Sequence, residues 1–301
     1  FAGTVRIATP ILFASLGEVF AERSGVLNLG LEGIMLVGSS VGFAAAFLSG
    51  NVWIGVLVGF LSGALLGLLI AFITVSLRID QVVNGVAIWI IGIGLSSYLF
   101  VMFFGKLASY PKIEGLPPLN IPGLSQIPIL GEILFQQNAL VYLAFLLVPV
   151  LWYVLFKTTF GLKVRAVGEN PKAADTLGIG VHRIRYICVV FGAGLAGIAG
   201  TFLSVAYLQT YTDNMVAGRG FMAIAIVILG RWNPVRVLFG ALLFGGVDAL
   251  QIRLQALSSV EGIFIPTQFL VMLPYIVTIV VLVFVSKRAA APAALTLPYK
   301  R

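Results

Sequence analysis

Long apolar runs separated by short polar hinges set the pattern of this chain. Apolar stretches lie near 5–21, 26–48, 52–76, 82–105, 139–156, 186–208, 213–230, 235–253 and 266–286, and a helix needs about 20 apolar residues to cross a bilayer. The pattern predicts an all-α polytopic membrane protein with about nine crossings. The seventh run differs from the rest. Asp213, Asn214, Gly218, Arg219 and Gly220 crowd its start and leave only FMAIAIVILG as clean helix. It reads as a broken or re-entrant element, tolerable only where protein or water covers its free backbone groups. No polar stretch is long enough to bury a soluble core, so 1–301 reads as a single transmembrane domain. No short-period repeat stands out.

The polar interruptions give the chain a direction. Residues 157–185, KTTFGLKVRAVGENPKAADTLGIGVHRIR, carry Lys157, Lys163, Arg165, Lys172, Arg183 and Arg185 against Glu169 and Asp175, together with the only histidine, His182. A basic loop of this kind belongs on the cytoplasmic side. That placement brings Arg23, Arg78, Arg231, Arg236, Lys287, Arg288, Lys300 and Arg301 inside and leaves Arg6, Lys106, Lys112, Arg219 and Arg253 outside. The amino terminus is then outside and the carboxyl terminus inside. The segment 106–138, stiffened by Pro111, Pro117, Pro118, Pro122 and Pro128, becomes the one long external loop. The run APAALTLPYKR reads as a loose tail, with Lys287 and Arg288 anchoring the helix before it. The opening FAGTVRIATPILFASL has neither the basic region nor the cleavage site of a signal peptide.

Within the basic loop, Gly168-Glu169-Asn170-Pro171 reads as a turn into a helix, because Asn suits a cap and Pro the first helical position. Lys172, Ala173, Ala174, Asp175, Thr176 and Leu177 then supply two short turns, stopped by Gly178 and Gly180. This is either an ordinary basic loop or a docking helix gripped by another protein from the cytoplasm.

Composition agrees with the pattern: 60% hydrophobic, 10% charged, mean hydropathy +1.08, far from a soluble domain. The net charge of +8 is spread over loops rather than gathered in one aromatic-interleaved stripe, so it marks topology and not nucleic-acid binding. One cysteine, Cys188, excludes an intrachain disulfide framework, and with one histidine it cannot build a zinc site. There is no GxxxxGK[ST] phosphate loop, no Asp-rich cluster for Mg²⁺ and no nucleophile elbow.

Small and polar residues inside the runs carry the remaining signal. Gly55, Gly59, Gly63 and Gly67 recur every four residues and so share one helix face, the GxxxG mode of close packing. Gly192, Gly194, Gly197 and Gly200 make a second such surface. Either could line a pathway instead. SGVLNLGLEGIMLVGSS places Asn28, Glu32, Ser39 and Ser40 in an apolar helix, with Asn28 and Glu32 four apart on one face; QVVNGVAIW adds Gln81 and Asn84, and the eighth run adds Asp248 and Gln251. A carboxylate at membrane depth faces a cavity or a partner, which makes Asn28, Glu32 and Asn84 the leading pathway candidates and Gln81 and Ser39 secondary ones. Glu32 divides evenly between that role and a structural one. Glu18 and Glu22 are expected to be interfacial or paired with Arg23.

ERSGVLNLGLEGIMLVGS at 22–39, QVVNGVAIW at 81–89, FGLKVRAVGENPKAADTLGI at 160–179 and CVVFGAGLAGIAG at 188–200 together resemble the permease subunits of bacterial ABC importers. The resemblance spans nearly the whole chain. It is nearest the nucleoside and simple-sugar branch served by Bmp-type lipoproteins, related to the ribose and branched-chain amino-acid permeases. It implies a multi-pass subunit of the bacterial inner membrane, most simply for nucleosides, with simple sugars as the alternative. It also implies three partners: a second, homologous permease, a cytoplasmic ABC ATPase that holds ATP and Mg²⁺, and an external binding lipoprotein. This chain would bind no cofactor and catalyse no reaction. Gly168, Glu169, Asn170, Pro171, Ala173, Ala174, Asp175 and Gly178 match the family's ATPase-docking loop. A secondary transporter or channel is the competing class, and a membrane enzyme a third.

Overall fold

The computed structural model of the protein describes residues 2–105, 111–120, 135–261, 267–286 and 291–300. Lys106, Pro122, Pro128, Lys287, Arg288 and Arg301, assigned above to loops, lie outside the described residues.

Local chemistry sets the helix ends. Helix α1 (Ala2–Arg23) is followed by a non-helical segment and then α2 (Leu31–Ser49), which stops at Gly50 in the left-handed region, φ 66°. Asn51 accepts the Trp53 amide and starts α3 (Val52–Ala71), which continues through a π turn at Phe72–Ser76. Asp80 accepts the Val82 and Val83 amides at the start of α4 (Gln81–Phe104). Strands β1 (Pro118–Asn120) and β2 (Gln136–Asn138) pair antiparallel. Asn138 then caps α5 (Ala139–Lys157), and Thr158 caps α6 (Thr159–Glu169). The short α7 (Pro171–Thr176) leads to α8 (Val181–Thr201), which ends in a second π turn at Phe202–Tyr207. Helices α9 (Arg219–Leu229), α10 (Pro234–Glu261) and α11 (Thr267–Ser286) follow. Among the described residues, seven helices are long and apolar enough to cross a membrane, and α9 and the 268–280 stretch of α11 are shorter.

Packing reveals a duplication. Helices α1 and α8 run antiparallel. Ser24, at the end of α1, accepts a hydrogen bond from Arg185 near the start of α8, and Gly17 abuts Gly192. Exchanging α1 for α8, α2 for α9, α3 for α10 and α4 for α11 reproduces the contacts: α1–α10 becomes α8–α3, α2–α8 becomes α9–α1, and α2–α4 becomes α9–α11. Because the matched helices point in opposite directions, the halves form an inverted-topology repeat, a common plan of membrane transporters. In each half a non-helical segment precedes the second helix, 24–30 before α2 and 208–218 before α9.

The first of these segments corrects the sequence reading. Asn28 does not lie on a helix with Glu32. Gly25 takes φ 92°, Asn28 turns its side chain to the Gly30 amide, and the non-helical chain runs beside α4. Leu27 donates its amide to Gln81, Leu29 sits where a side chain on Gly85 would be, and Gly30 faces Ile88. Local Asn hydrogen bonding and glycine freedom outweigh the apolar period here.

The loose tail is also corrected. Residues 291–300 fold back onto the loop end of the bundle, with Pro292, Ala294 and Tyr299 buried. The Ala294 amide donates to the Gly168 carbonyl at 2.8 Å, and Arg185 donates to the Leu297 carbonyl at 3.1 Å.

The glycine face of α3 is a seam. A Cβ on Gly55 would meet Gly42 and Ala46 of α2. One on Gly59 would meet Thr201, one on Gly63 the Ala193 carbonyl and Gly197, and one on Gly67 Ala193 and Val189 of α8. Thr201 of α8 ties that helix to α2 by donating to the Gly38 carbonyl at 2.9 Å, and also reaches the Gly197 carbonyl of its own helix at 3.0 Å. The opposite face of α3, with Leu57, Leu61, Leu65 and Leu68, is exposed, as suits a surface in contact with lipid or another apolar chain.

Candidate functional site

A helix that begins inside a bundle leaves its first amides without intrahelical acceptors. Helix α9 begins this way, after an irregular approach in which Asn214 and Ala217 take φ 55° and 51° and Gly218 takes 84°. The acceptor is Glu32, 3% exposed, in the first turn of α2. Its Oε1 accepts the Gly218 amide and its Oε2 the Gly220 amide, each at 2.7 Å. One carboxylate therefore stands at the positive ends of two helices, a favourable place for an anion.

Arg219, between those amides, turns to Asp248 of α10 at 2.9 Å and also donates to the carbonyls of Met215 and Val216. This is the ion pair found among the described residues. It corrects the use of Arg219 as an outer-loop charge, because the side chain is 14% exposed and committed inside the bundle. Gln251, one turn further along α10, is half-buried. Arg185 is likewise buried, at 1% exposure, rather than a loop cation.

Of the other pathway candidates, Gln81 and Asn28 meet at the non-helical 24–30 segment, while Ser39 lies further along α2. Gln81 Oε1 accepts the Leu27 amide at 2.7 Å, and the Asn28 amide donates to Glu18 at 2.8 Å. Ser39 donates to the Leu36 carbonyl and accepts Ser204 at its own carbonyl, while Ser40 donates to the Ser96 carbonyl. Asn84 differs: it is buried, and its amide nitrogen has no partner. Trp89, one turn further along α4, meets Phe221 of α9 edge-on at 5.2 Å.

Glu18 and Glu22 are neither interfacial nor paired with Arg23. Both are buried. Glu22 accepts the Trp232 indole N–H, while Arg23 donates to the carbonyls of Trp232 and Arg231 at 3.2 and 3.3 Å. The turn after α9 draws both side chains away from each other, because its backbone carbonyls and indole offer partners inside the bundle.

At this same end, α6 buries Val164, Val167 and Gly168, and Gly168 lies against the Arg23 carbonyl. Helix α7 follows directly. Asn170 accepts the Ala173 amide at 3.1 Å, Pro171 occupies the first position, and Gly178 closes the turn at φ 78° with its amide on the Asp175 carbonyl. Glu169, Asn170 and Ala173 are exposed, Asp175 is half-buried and Ala174 packs inward. Leu177, 81% exposed, projects from the tip. No group of three or more metal-ligating side chains occurs among the described residues.

Residues 1–285 match the family described as branched-chain amino acid transport system / permease component. TsgC13 of Haloferax volcanii, named as a glucose ABC transporter permease protein, is 41% identical over 99% of this chain and 96% of its own length. The nucleoside ABC transporter permease protein NupC of Lactococcus lactis is 40% identical over 95% of this chain and 92% of its own. The guanosine ABC transporter permease protein NupQ of Bacillus subtilis is 37% identical over 98% and 94%. A second Bacillus subtilis protein, the guanosine ABC transporter permease protein NupP, is 27% identical over 81% of the chain. No solved structure matches the chain.

Proposed function

This chain belongs to the family of branched-chain amino acid transport system permease components and is an ABC transporter permease, and from that premise we propose that it carries nucleosides inward. The observation that carries the proposal is that relatives named for nucleosides and guanosine align over nearly its whole length. A simple-sugar cargo is the second reading, favoured by the glucose-named relative. Both cargoes are neutral and rich in hydroxyls, so an amide-lined route suits either. The test is uptake of labelled guanosine and labelled glucose by the complete reconstituted complex. We expect guanosine uptake, competed by other nucleosides. Glucose uptake without guanosine uptake transfers the proposal to sugars.

Its expected partners are a second permease, a cytoplasmic ATPase and an external binding lipoprotein. The pairing is supported by two similar guanosine permease proteins in one organism, one nearer to this chain and one more distant. ATP and Mg²⁺ belong to the ATPase, since this chain has no phosphate loop. The exposed α7 with its Leu177 tip is the proposed docking element, built from Gly168, Glu169, Asn170, Pro171, Ala173, Ala174, Asp175 and Gly178. The cargo route is proposed beside α4 and the 24–30 segment. Asn84 there keeps an amide nitrogen for cargo, Asn28, Gln81 and Ser39 shape the wall, and Glu32 is the pivot.

We place the amino terminus outside and the loop end in the cytoplasm of an inner membrane, because Arg23, Lys163, Arg165, Arg183 and Arg231 gather there. Helix α2 is long enough to cross by itself, whereas the shorter α9 is proposed to be completed by the irregular 208–218 approach. An impermeant thiol reagent checks this: Glu114→Cys should label from outside on intact cells and Thr176→Cys should not. The native Cys188 is buried and gives little background. The reverse pattern inverts the topology.

A further inference from the structure

Residues 291–300 are fastened to the docking loop at four points. The Ala294 amide donates to the Gly168 carbonyl at 2.8 Å, and the Ala293 amide reaches Glu169 Oε2 at 3.4 Å. Arg185 donates to the Leu297 carbonyl at 3.1 Å while also holding the Ser24 carbonyl of α1 at 3.1 Å. The Tyr299 ring lies 5.6 Å from that of His182. The buried guanidinium, through its Nε and one terminal nitrogen, joins the end of α1, α8 and this strap at one point. Between the strap and α7 lies a groove of about 610 Å³, walled by Tyr299 on one side and Asp175 and Leu177 on the other, with Lys163, His182 and Arg183 around it. Leu177 and Leu297 are 81% and 55% exposed.

We propose that the strap is the second wall of the ATPase-docking surface, and that the groove between Tyr299 and Leu177 receives a segment of the ATPase carrying an apolar side chain flanked by carboxylates. This rests on the assignment of α7 as the docking element and extends it. The groove begins at Asp175 and Leu177, the carboxyl end of α7. Its apolar margins fit a side chain that must leave water, and Lys163 and Arg183 outweigh Asp175, so the complementary rim is acidic. Because Arg185 ties the strap to α1, force on the groove reaches the end of the 24–30 segment directly.

The test uses the complete complex with a tagged permease and measures ATPase retained on the permease, ATPase turnover, and the melting of the permease. Leu297→Asp alters an exposed side chain and leaves the carbonyl held by Arg185. Tyr299→Ala removes the wall, and Tyr299→Phe keeps the ring. We expect Leu297→Asp and Tyr299→Ala to weaken ATPase retention about tenfold at unchanged permease melting for Leu297→Asp, with Tyr299→Phe close to the parent. Ala173→Glu, on the exposed face of α7, serves as the comparison. If Ala173→Glu releases the ATPase while Leu297→Asp and Tyr299→Ala both retain it, the strap proposal fails and the α7 assignment stands. If Ala173→Glu also retains the ATPase, the α7 assignment fails and the strap proposal with it.

Discussion

Glu32→Leu should lower the stability of the purified permease by about 3–5 kcal/mol. Leucine fills the space but accepts nothing, so the Gly218 and Gly220 amides, now bonded at 2.7 Å, stay buried without partners. The positive ends of α2 and α9 then face each other with no anion between them. Glu32→Gln keeps one oxygen acceptor and presents an NH₂ group to the second amide, so its cost should be smaller, about 1.5–3 kcal/mol. Thermal unfolding in detergent, together with the fraction of monodisperse protein, reads both. An unchanged melting temperature for Glu32→Leu removes Glu32 from the structural role. Transport that falls at constant stability assigns it to the cargo route.

Gly63→Leu should be nearly as damaging. The side chain would enter where the Ala193 carbonyl and the Gly197 backbone already stand, and backbone on both sides leaves no rotamer to escape into. Over-packing of this kind costs about 1–3 kcal/mol or more, and here it separates α3 from α8. Gly94→Leu on α4 is the control, since a Cβ there meets nothing within 4 Å. It should leave melting essentially unchanged. A Gly63→Leu protein that melts with the parent but does not transport turns the seam into a lining of the pathway.

Features set by neighbouring residues are legible in the sequence. The cap at Asn170, Pro171 after it and the stop at Gly178 need only a few consecutive positions, and the four-residue spacing of Gly55 to Gly67 defines a face without knowledge of the partner helix. The polar crowding at 213–220 coincides with the irregular turns before the short α9 for the same reason. Features set by distant partners are not legible. Asn28 fits an apolar helix until Gln81, far along the chain, takes the Leu27 amide. Arg219 has the composition of a loop cation until Asp248 is beside it. The strap at 291–300 has the small-residue composition of a free end, and only its backbone bonds to Gly168 and Arg185 show that it is held. One long-range signal was present: Glu32-Gly33-Ile34-Met35 and Arg219-Gly220-Phe221-Met222 repeat a charge–Gly–apolar–Met pattern at the two helix starts. The opposite charges hide it from a search for identity.

Glu32 also imposes an order on synthesis. Its first acceptor bond spans 186 residues, so at 5–20 residues per second the ribosome delivers Gly218 about 10–40 s after Glu32. During that interval the α2 carboxylate is in or near the membrane with neither of its final donors. An insertion machinery must shelter it, or α2 must wait at the interface until the second half arrives. The first half of the chain is thus a client of its own translation, and stalling the ribosome before residue 218 should yield a segment that is handed to quality control rather than stored as a finished half.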